Sequence, residues 1–234
     1  MHVRLPVLLI AIVLLLAAGA AAASLPAEPQ QERELAPLRV PDLGGIGSRV
    51  EEPPPRYERV HWRRSTPVGT YTAGRLIGGV RLPAEGRHFF TWDPVERHSP
   101  DRWWRRYGTD RLVRTVLRVA REYGAAHPGA ARLGVGDLSR PRGGDFGIRF
   151  GPIGHASHQN GLDVDVYYPR ADGRERAPRF ASEIDRGPSQ ELVDRFLARG
   201  AQVIFVGPNT GLTGPPGRVQ VLVNHDNHLH VRLP

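Results

Sequence analysis

Two short segments of the chain alternate polar and apolar residues, as strands with one buried face require. The first segment, GHASHQNGLDVDV, leads into residues 162–168, and the second, NHDNHLHVRL, leads into residues 228–233. Side chains at positions i and i+2 of a strand point to the same face. The pattern therefore predicts two strands that carry polar pairs, Asp163 with Asp165 and His228 with His230, and these pairs could meet over one sheet.

The rest of the chain mixes predicted helices and strands without a regular alternation. Apolar spacing predicts helices at about 109–123 and 190–199, with Thr109 and Ser189 as N-caps and Gly124 as a stop. Further strands are predicted at 133–137, 202–206 and 219–223. We therefore expect an α+β domain in which a mainly antiparallel central sheet carries the polar pairs and is flanked by helices and long loops.

The first 56 residues have a different composition from the rest. Residues 1–23 have the basic start, apolar run and small residues of a signal peptide, although an uncleaved N-terminal membrane anchor fits the same pattern. Either outcome places the remainder outside the cytoplasm. Residues 24–56 are rich in Pro and Glu and predict a linker. Residues 57–234 form the predicted domain and carry the positive charge of the chain, whose net value is +8.

The distribution of histidine points to a metal site. The sequence contains no cysteine, which excludes disulfide bonds and thiolate ligands, so that a metal would have to use histidine and carboxylate. Of the ten histidines, five fall in the two segments together with three aspartates: His155, His158, His225, His228, His230, Asp163, Asp165 and Asp226. Imidazole and carboxylate groups suit a divalent cation such as zinc.

A predicted turn at a glycine would bring two of these candidate ligands together. Gly161 allows a tight turn, which would bring His158 back over Asp165. Two histidines and one carboxylate leave a fourth tetrahedral position for water, as in catalytic rather than structural zinc sites. The central sheet is thus expected to carry a zinc site.

These motifs identify a family resemblance. GHASHQNGLDVDV is similar to the first motif of the penicillin-insensitive murein endopeptidases, and NHDNHLHVRL resembles their closing His-x-x-His-x-His motif. These enzymes belong to a wider group of zinc peptidases that includes lysostaphin-type enzymes and D-Ala-D-Ala carboxypeptidases. Weaker similarity in GDLSRPRGG and VIFVGP extends the resemblance to roughly residues 97–234.

The resemblance implies one zinc ion per chain, with His158, Asp165 and His230 as its ligands and His228 as the catalytic histidine. It also implies that two further candidate catalytic residues, His155 and His225, line the same site.

Three aspartates near these motifs are left without an assigned role. Asp163 or Asp226 could orient an imidazole by hydrogen bonding, and Asp137 of the GDLSRPRGG segment could reach the cleft.

The expected function is zinc-dependent hydrolysis of the peptide cross-links of bacterial peptidoglycan. Two alternatives remain open: a D-Ala-D-Ala carboxypeptidase acting on peptidoglycan stem peptides, and a non-catalytic zinc-containing module that binds the cell wall. The positive charge suits an anionic partner, but export argues against a specific nucleic-acid partner. The N-terminal segment could associate with a membrane.

Overall fold

The computed structural model describes residues 57–150 and 154–234. The predicted signal peptide or anchor at 1–23 and the predicted linker at 24–56 lie outside the described residues and stay predictions. In the part of the chain that is described, no helix combines the length and hydropathy needed to cross a bilayer.

The strands of the described residues are numbered in chain order. β1 to β11 span Thr66–Gly69, Gly74–Ile77, Val80–Arg81, Glu85–Gly86, Phe89–Thr91, Tyr107–Gly108, Leu133–Val135, Asp163–Tyr167, Val203–Val206, Val219–Val221 and His228–Arg232. Strands β7 to β11 confirm the five predicted strands to within two residues at each end. The short strands β1 to β6 were not predicted.

Seven of these described strands form one sheet, in the order β10-β9-β11-β8-β7-β5-β4. The remaining four form a β1–β2 hairpin and a β3–β6 ladder. β8 and β11 lie side by side near the middle of the large sheet, where both have strand neighbours on each side. The two histidine- and aspartate-rich segments therefore meet in the interior of the sheet.

The sheet is mixed, which corrects the prediction of a mainly antiparallel sheet. The pairs β9–β10 and β5–β7 are parallel, whereas the four other neighbouring pairs of the described sheet are antiparallel. A parallel pair needs a long crossover connection. The chain from β5 to β7 runs through a helix, so this crossover exists, but the sequence does not reveal which strands it joins. The α+β class itself is correct.

Two helices of the described residues cover one face of the sheet: α1, Asp110–Ala126, and α2, Arg186–Ala198. Thr109 caps α1 as predicted, since its side chain accepts a hydrogen bond from the backbone N of Leu112. Gly124 does not end the helix, which continues to Ala126. The apolar residues of both helices share a core with β8 and β11, namely Leu112, Val113, Val116, Val119, Ala120, Tyr123, Leu192, Val193, Phe196, Val164, Val166, Leu229 and Val231.

Helix α2 begins four residues earlier than predicted. Ser189 is buried inside the helix and its hydroxyl donates to the carbonyl of Asp185, so that it does not act as a cap. Pro188 lies in the first turn, where a helix does not need the missing N–H. Because both helices pack on the apolar residues of β8 and β11, the polar residues of these strands face the opposite side of the sheet.

Candidate metal centre

The register of β8 and β11 places His230 directly opposite Asp165. His230 Nδ1 lies 3.2 Å from Asp165 Oδ1, and both residues are 5% exposed. The intervening Val164 and Val231 are fully buried in the core. Burial of these apolar residues fixes the register, since a slip by one residue would turn the polar set into the core.

His158 reaches the same point from the loop before β8. Its backbone is left-handed, with φ of 65°, and the turn continues through Gly161 with φ of 77°. A left-handed histidine is strained and persists only where its surroundings hold it. The backbone N–H of His158 donates to Asp163 Oδ2 at 3.2 Å, and its ring Nδ1 meets the carbonyl of Leu138. These contacts hold His158 Nε2 at 3.4 Å from Asp165 Oδ1.

Three donor atoms thus converge. His158 Nε2 lies 3.2 Å from His230 Nδ1, which closes the triangle with Asp165 Oδ1. His155, His158 and Asp165 also lie close together, with ligand atoms within 4.8 Å of one another. We favour His230 over His155 as the third member, because His155 Nε2 is engaged by Asp137 Oδ2 at 2.6 Å. A metal ion can be held here by two histidines and one aspartate.

Hydrogen bonds fix the tautomers of the two imidazoles. His158 donates its Nδ1–H to the carbonyl of Leu138, a group that can only accept. His230 donates its Nε2–H to Asp163 Oδ1 at 3.1 Å. In the neutral rings the remaining nitrogens, His158 Nε2 and His230 Nδ1, would therefore present lone pairs towards Asp165. Such a second layer of hydrogen bonds is typical of histidines that bind metals.

Asp163 is the carboxylate that organises this second layer. It is fully buried, and besides the contacts to His158 and His230 it accepts a hydrogen bond from Arg232 Nε at 2.7 Å. Burial by itself raises the pKa of Asp163, but the bond to His230 and the nearby positive charges outweigh it and lower the pKa to about 2. Asp163 is thus ionised and orients an imidazole.

The centre favours positive charge. Asp165 Oδ1 is buried and accepts no hydrogen bond of ordinary geometry. Burial raises the pKa of Asp165, but the surrounding histidines, His158 first, outweigh burial and hold it well below its usual value. Burial likewise lowers the pKa of His230, but Asp163 and Asp165 outweigh it and raise the pKa to about 9. The two carboxylates thus favour a positive charge at this point, which a bound cation could supply in place of the proton on His230.

His228 stands beside the three donor atoms without joining them. Its Nδ1 meets the side-chain oxygen of Asn227 at 2.6 Å, and its Nε2 lies 3.8 Å from Asp165 Oδ1. Burial lowers the pKa of His228 to about 4; Asp165 opposes this shift, while His225 and His230 add to it. With Nδ1–H donated to Asn227, the neutral ring offers Nε2 as a proton acceptor.

His225 lies next to His228, with ring centroids 4.7 Å apart. It donates Nδ1–H to the carbonyl of Val223 at 2.8 Å, and its pKa is lowered, mainly by burial. The neutral ring therefore also presents Nε2 as an acceptor. Both rings line a cleft of about 700 Å³, here called the central cleft, and Asp165, His230 and His155 line it too.

A hydrogen bond to Asp137, which forms a buried ion pair with Arg105, holds the ring of His155. Asp137, to which it is bonded, forms a two-pronged contact with the guanidinium of Arg105, and Asp137 and Arg105 are almost completely buried. Burial lowers the pKa of His155, but the negative charges of Asp165 and Asp137 outweigh it, so the pKa is raised. The Asp137 carboxylate thus reaches the wall of the central cleft through His155.

Comparison with known proteins identifies the family of the chain. Residues 67–199, more than half of the sequence, match the family model described as penicillin-insensitive murein endopeptidase. The chain belongs to the penicillin-insensitive murein endopeptidase family. The resemblance inferred from the two motifs is thereby confirmed. The matched range contains β8 and the loop before it but ends before β11, so that the second motif lies beyond it.

Relatives with this family's name cover different shares of the chain. A penicillin-insensitive murein endopeptidase of Haemophilus influenzae is 35% identical over 197 residues, which is 73% of this chain and 64% of that protein. One from Escherichia coli O1:K1 is 31% identical over 100 residues, which is 43% of this chain and 31% of that protein. The chain thus spans less than two thirds of the length of either relative.

Sequence reasoning missed two partners of the candidate site residues. It assigned no role to Arg105 or Asn227. Asp226, a candidate for orienting an imidazole, instead accepts hydrogen bonds from the backbone N and side-chain Nδ2 of Asn209 at 3.0 and 2.6 Å. A polar residue just before a predicted site histidine, as in Asn227-His228, is the signal that could have identified Asn227.

Proposed function

We propose that the chain is a zinc-dependent endopeptidase that hydrolyses the peptide cross-links of bacterial peptidoglycan outside the cytoplasm. Family membership and the names of the relatives support the reaction class and the substrate. The observation that carries the proposal is the convergence of His158, His230 and Asp165, with His228 Nε2 3.8 Å from Asp165 Oδ1.

The donor set fits zinc. Two imidazole nitrogens and one carboxylate oxygen are ligands that zinc prefers, and three protein ligands leave a position for substrate or water. Tetrahedral coordination at the usual zinc bond lengths separates ligand atoms by about 3.3 Å. The separations of the three donors are 3.2, 3.2 and 3.4 Å. The buried Asp165 Oδ1, which accepts no hydrogen bond, gains a partner in such a site. We therefore assign one zinc ion to His158, Asp165 and His230.

The chain's own residues supply proton transfer. A zinc ion at these residues supplies Lewis acidity, which polarises a carbonyl and makes water more acidic. His228 Nε2, held towards the centre by the bond from Nδ1–H to Asn227, accepts a proton from the attacking water and can return it to the leaving amine. The low pKa of His228 keeps the ring unprotonated and ready at neutral pH.

The two other candidate catalytic histidines take different roles in this scheme. His155 has a raised pKa and lines the central cleft, so that it can offer positive charge to an oxygen that becomes negative during the reaction. His225 presents a proton acceptor instead, because its Nδ1–H is used by Val223. We therefore propose His155 as the oxyanion-stabilising residue and His225 as a residue that binds a donor group of the substrate or relays a proton.

Digestion of purified sacculi tests this function. The zinc-loaded chain should convert cross-linked muropeptide dimers into monomers, as seen by mass analysis of the released fragments. A chelator should abolish the conversion and added zinc should restore it. Release of D-Ala from pentapeptides with dimers left intact would instead identify a carboxypeptidase. Binding to sacculi without any product would identify a wall-binding module.

Metal analysis tests the ligand set separately. We expect the purified chain to hold about one zinc per molecule and His230→Ala to hold almost none, because two donors bind zinc poorly. His61→Ala is the matched control, since His61 is exposed and remote from the two motifs. A His230→Ala variant that retains stoichiometric zinc would contradict the assignment.

A further inference from the structure

A second cleft adjoins the central cleft. Its volume is about 640 Å³, and we call it the annex. Pro94, Tyr167 and Asn227 line both clefts, so the two are adjacent along these residues. Asn227 is the residue that orients His228. A substrate that extends from the metal centre past Asn227 therefore enters the annex.

The acidic group in the lining of the annex is already neutralised. Glu183 Oε2 accepts a hydrogen bond from Arg170 Nη1 at 2.7 Å and from the backbone N of Arg179 at 2.6 Å. Hydrogen bonding to Arg170 is the main reason why the pKa of Glu183 falls to about 2. Arg170 in turn is held by both oxygens of Asp172 at 2.7 and 2.6 Å. Glu183 and Asp172 are thus both engaged by Arg170, and the other charged side chains that line the annex are positive.

Those other charges are guanidinium groups. Arg97 and Arg179 line the annex and are exposed, and in the described part of the chain neither side chain forms an ion pair with a carboxylate. Arg176, also in the lining, lies 3.9 Å from Asp172, at the outer limit of an ion pair. The turn that presents Arg97 is fixed, because Asp93 Oδ1 accepts hydrogen bonds from two successive backbone N–H groups of that turn, at 2.8 and 3.0 Å.

An exposed aromatic ring lies among these cations. Phe180 is 64% exposed and lines the annex next to Arg179, and Trp92 forms another part of its wall. An arginine side chain binds carboxylates through two parallel hydrogen bonds, and an exposed ring offers contact to aliphatic groups. The annex therefore combines the two features that recognise an acidic peptide.

We propose that the annex is a substrate subsite that binds a free carboxylate of the peptide through Arg97 and Arg179, with Phe180 in contact with its aliphatic part. The identity of the ligand as a peptide rests on the proposed function, whereas its negative charge follows from the annex itself. The subsite would make the chain prefer cross-links that carry a carboxylate to those in which the carboxylate is amidated.

Two double variants test the subsite. R97Q/R179Q removes both free guanidiniums of the annex, and R118Q/R121Q removes the same charge from the exposed side of α1. The substrates are a muropeptide dimer with free side-chain carboxylates and the same dimer with these groups amidated. We expect R97Q/R179Q to raise KM for the carboxylate substrate by about tenfold, with kcat nearly unchanged. The amidated substrate should be insensitive to the substitutions, and R118Q/R121Q should behave as the parent chain.

A binding measurement separates this inference from the proposed function. The cleaved product peptide, in its free and amidated forms, is titrated into each zinc-loaded protein. Tighter binding of the free form that is lost in R97Q/R179Q supports the subsite, even if no sacculus is digested. Equal affinity for the two forms, or equal losses in both double variants, would overturn it. Digestion of sacculi together with such equal affinities would leave the proposed function intact and refute only the subsite.

Discussion

Asp163 Oδ1 accepts a hydrogen bond of 3.1 Å from His230 Nε2, while its second oxygen accepts the backbone N–H of His158 at 3.2 Å. One buried carboxylate therefore positions both histidines of the candidate metal centre. It sets the tautomer of His230 and holds the strained backbone of His158.

Asp163→Asn should weaken zinc binding without removing a ligand. The amide lacks the negative charge that favours the correct tautomer of His230, so we expect the zinc dissociation constant to rise by about 10- to 100-fold. Competition with a chromophoric chelator measures the change. Asp226→Asn, which alters a carboxylate bonded to Asn209, is the control and should bind zinc as before. An unchanged zinc affinity in a folded Asp163→Asn variant would refute this role.

His228→Ala should retain zinc and lose catalysis. The ring contributes no donor to the three-atom set, but its Nε2, a proton acceptor, lies 3.8 Å from Asp165 Oδ1. Loss of a general acid–base group lowers kcat by about 10²- to 10⁴-fold. Metal content and dimer cleavage are measured on the same sample, with His127→Ala as the matched histidine control. Full activity of His228→Ala would exclude the assigned role.

Gly161→Ala should damage both the fold and the zinc site. A Cβ at Gly161 would lie 2.8 Å from Leu76 Cδ2 and 3.2 Å from the backbone N of Thr109, and φ there is 77°. Backbone strain and overpacking together should lower the free energy of unfolding by about 3 kcal/mol. Gly173→Ala is the matched control, because φ is 67° but no atom lies within 4 Å of the added Cβ.

The Gly173→Ala control should lose only about 1 kcal/mol, the cost of the left-handed backbone alone. Urea unfolding gives both values, and zinc affinity should fall only in Gly161→Ala, which lies between His158 and Asp163. Equal losses of stability in the two variants would show that packing around Gly161 contributes nothing.

Asp137→Asn should lower stability far more than the loss of an exposed ion pair. Asp137 and Arg105 have fully buried side chains, and Asp137→Asn removes the charge that makes the two-pronged contact with the buried guanidinium. Such a change costs about 3–5 kcal/mol. Arg149→Gln breaks the exposed pair with Asp145 and should cost less than about 1 kcal/mol. Urea unfolding measures the free energy of unfolding of both variants. A loss of less than about 1 kcal/mol in both would contradict the expected difference.

The sequence revealed the parts of the site that depend on local periodicity. The alternation in residues 162–168 and 228–233 identified β8 and β11, because each strand turns its apolar side chains to the core and its polar side chains to the candidate metal centre. Thr109 was recognisable as a cap for the same reason: capping involves residues only three positions apart. The structure then brings His158, Asp165 and His230 within hydrogen-bonding distances of one another.

Long-range relationships were not predictable in this way. The parallel pairing of β5 with β7 depends on where the chain returns after α1, which no local pattern encodes. The buried contact of Arg105 is with Asp137, 32 residues away, so that no local pattern in the sequence indicates it. The start of α2 was missed because Gly187 and Pro188 resemble the end of a loop, although a first helical turn tolerates both.

β11 lies between β8 and β9 in the sheet, although it follows both in the chain. The strand that carries His228 and His230 must therefore insert between two strands made before it. Until this strand has paired, His158 and Asp165 lack both His230 and His228 beside them. The candidate metal centre is therefore complete only when β11 has paired with β8, so that metal affinity would report on this pairing of the sheet.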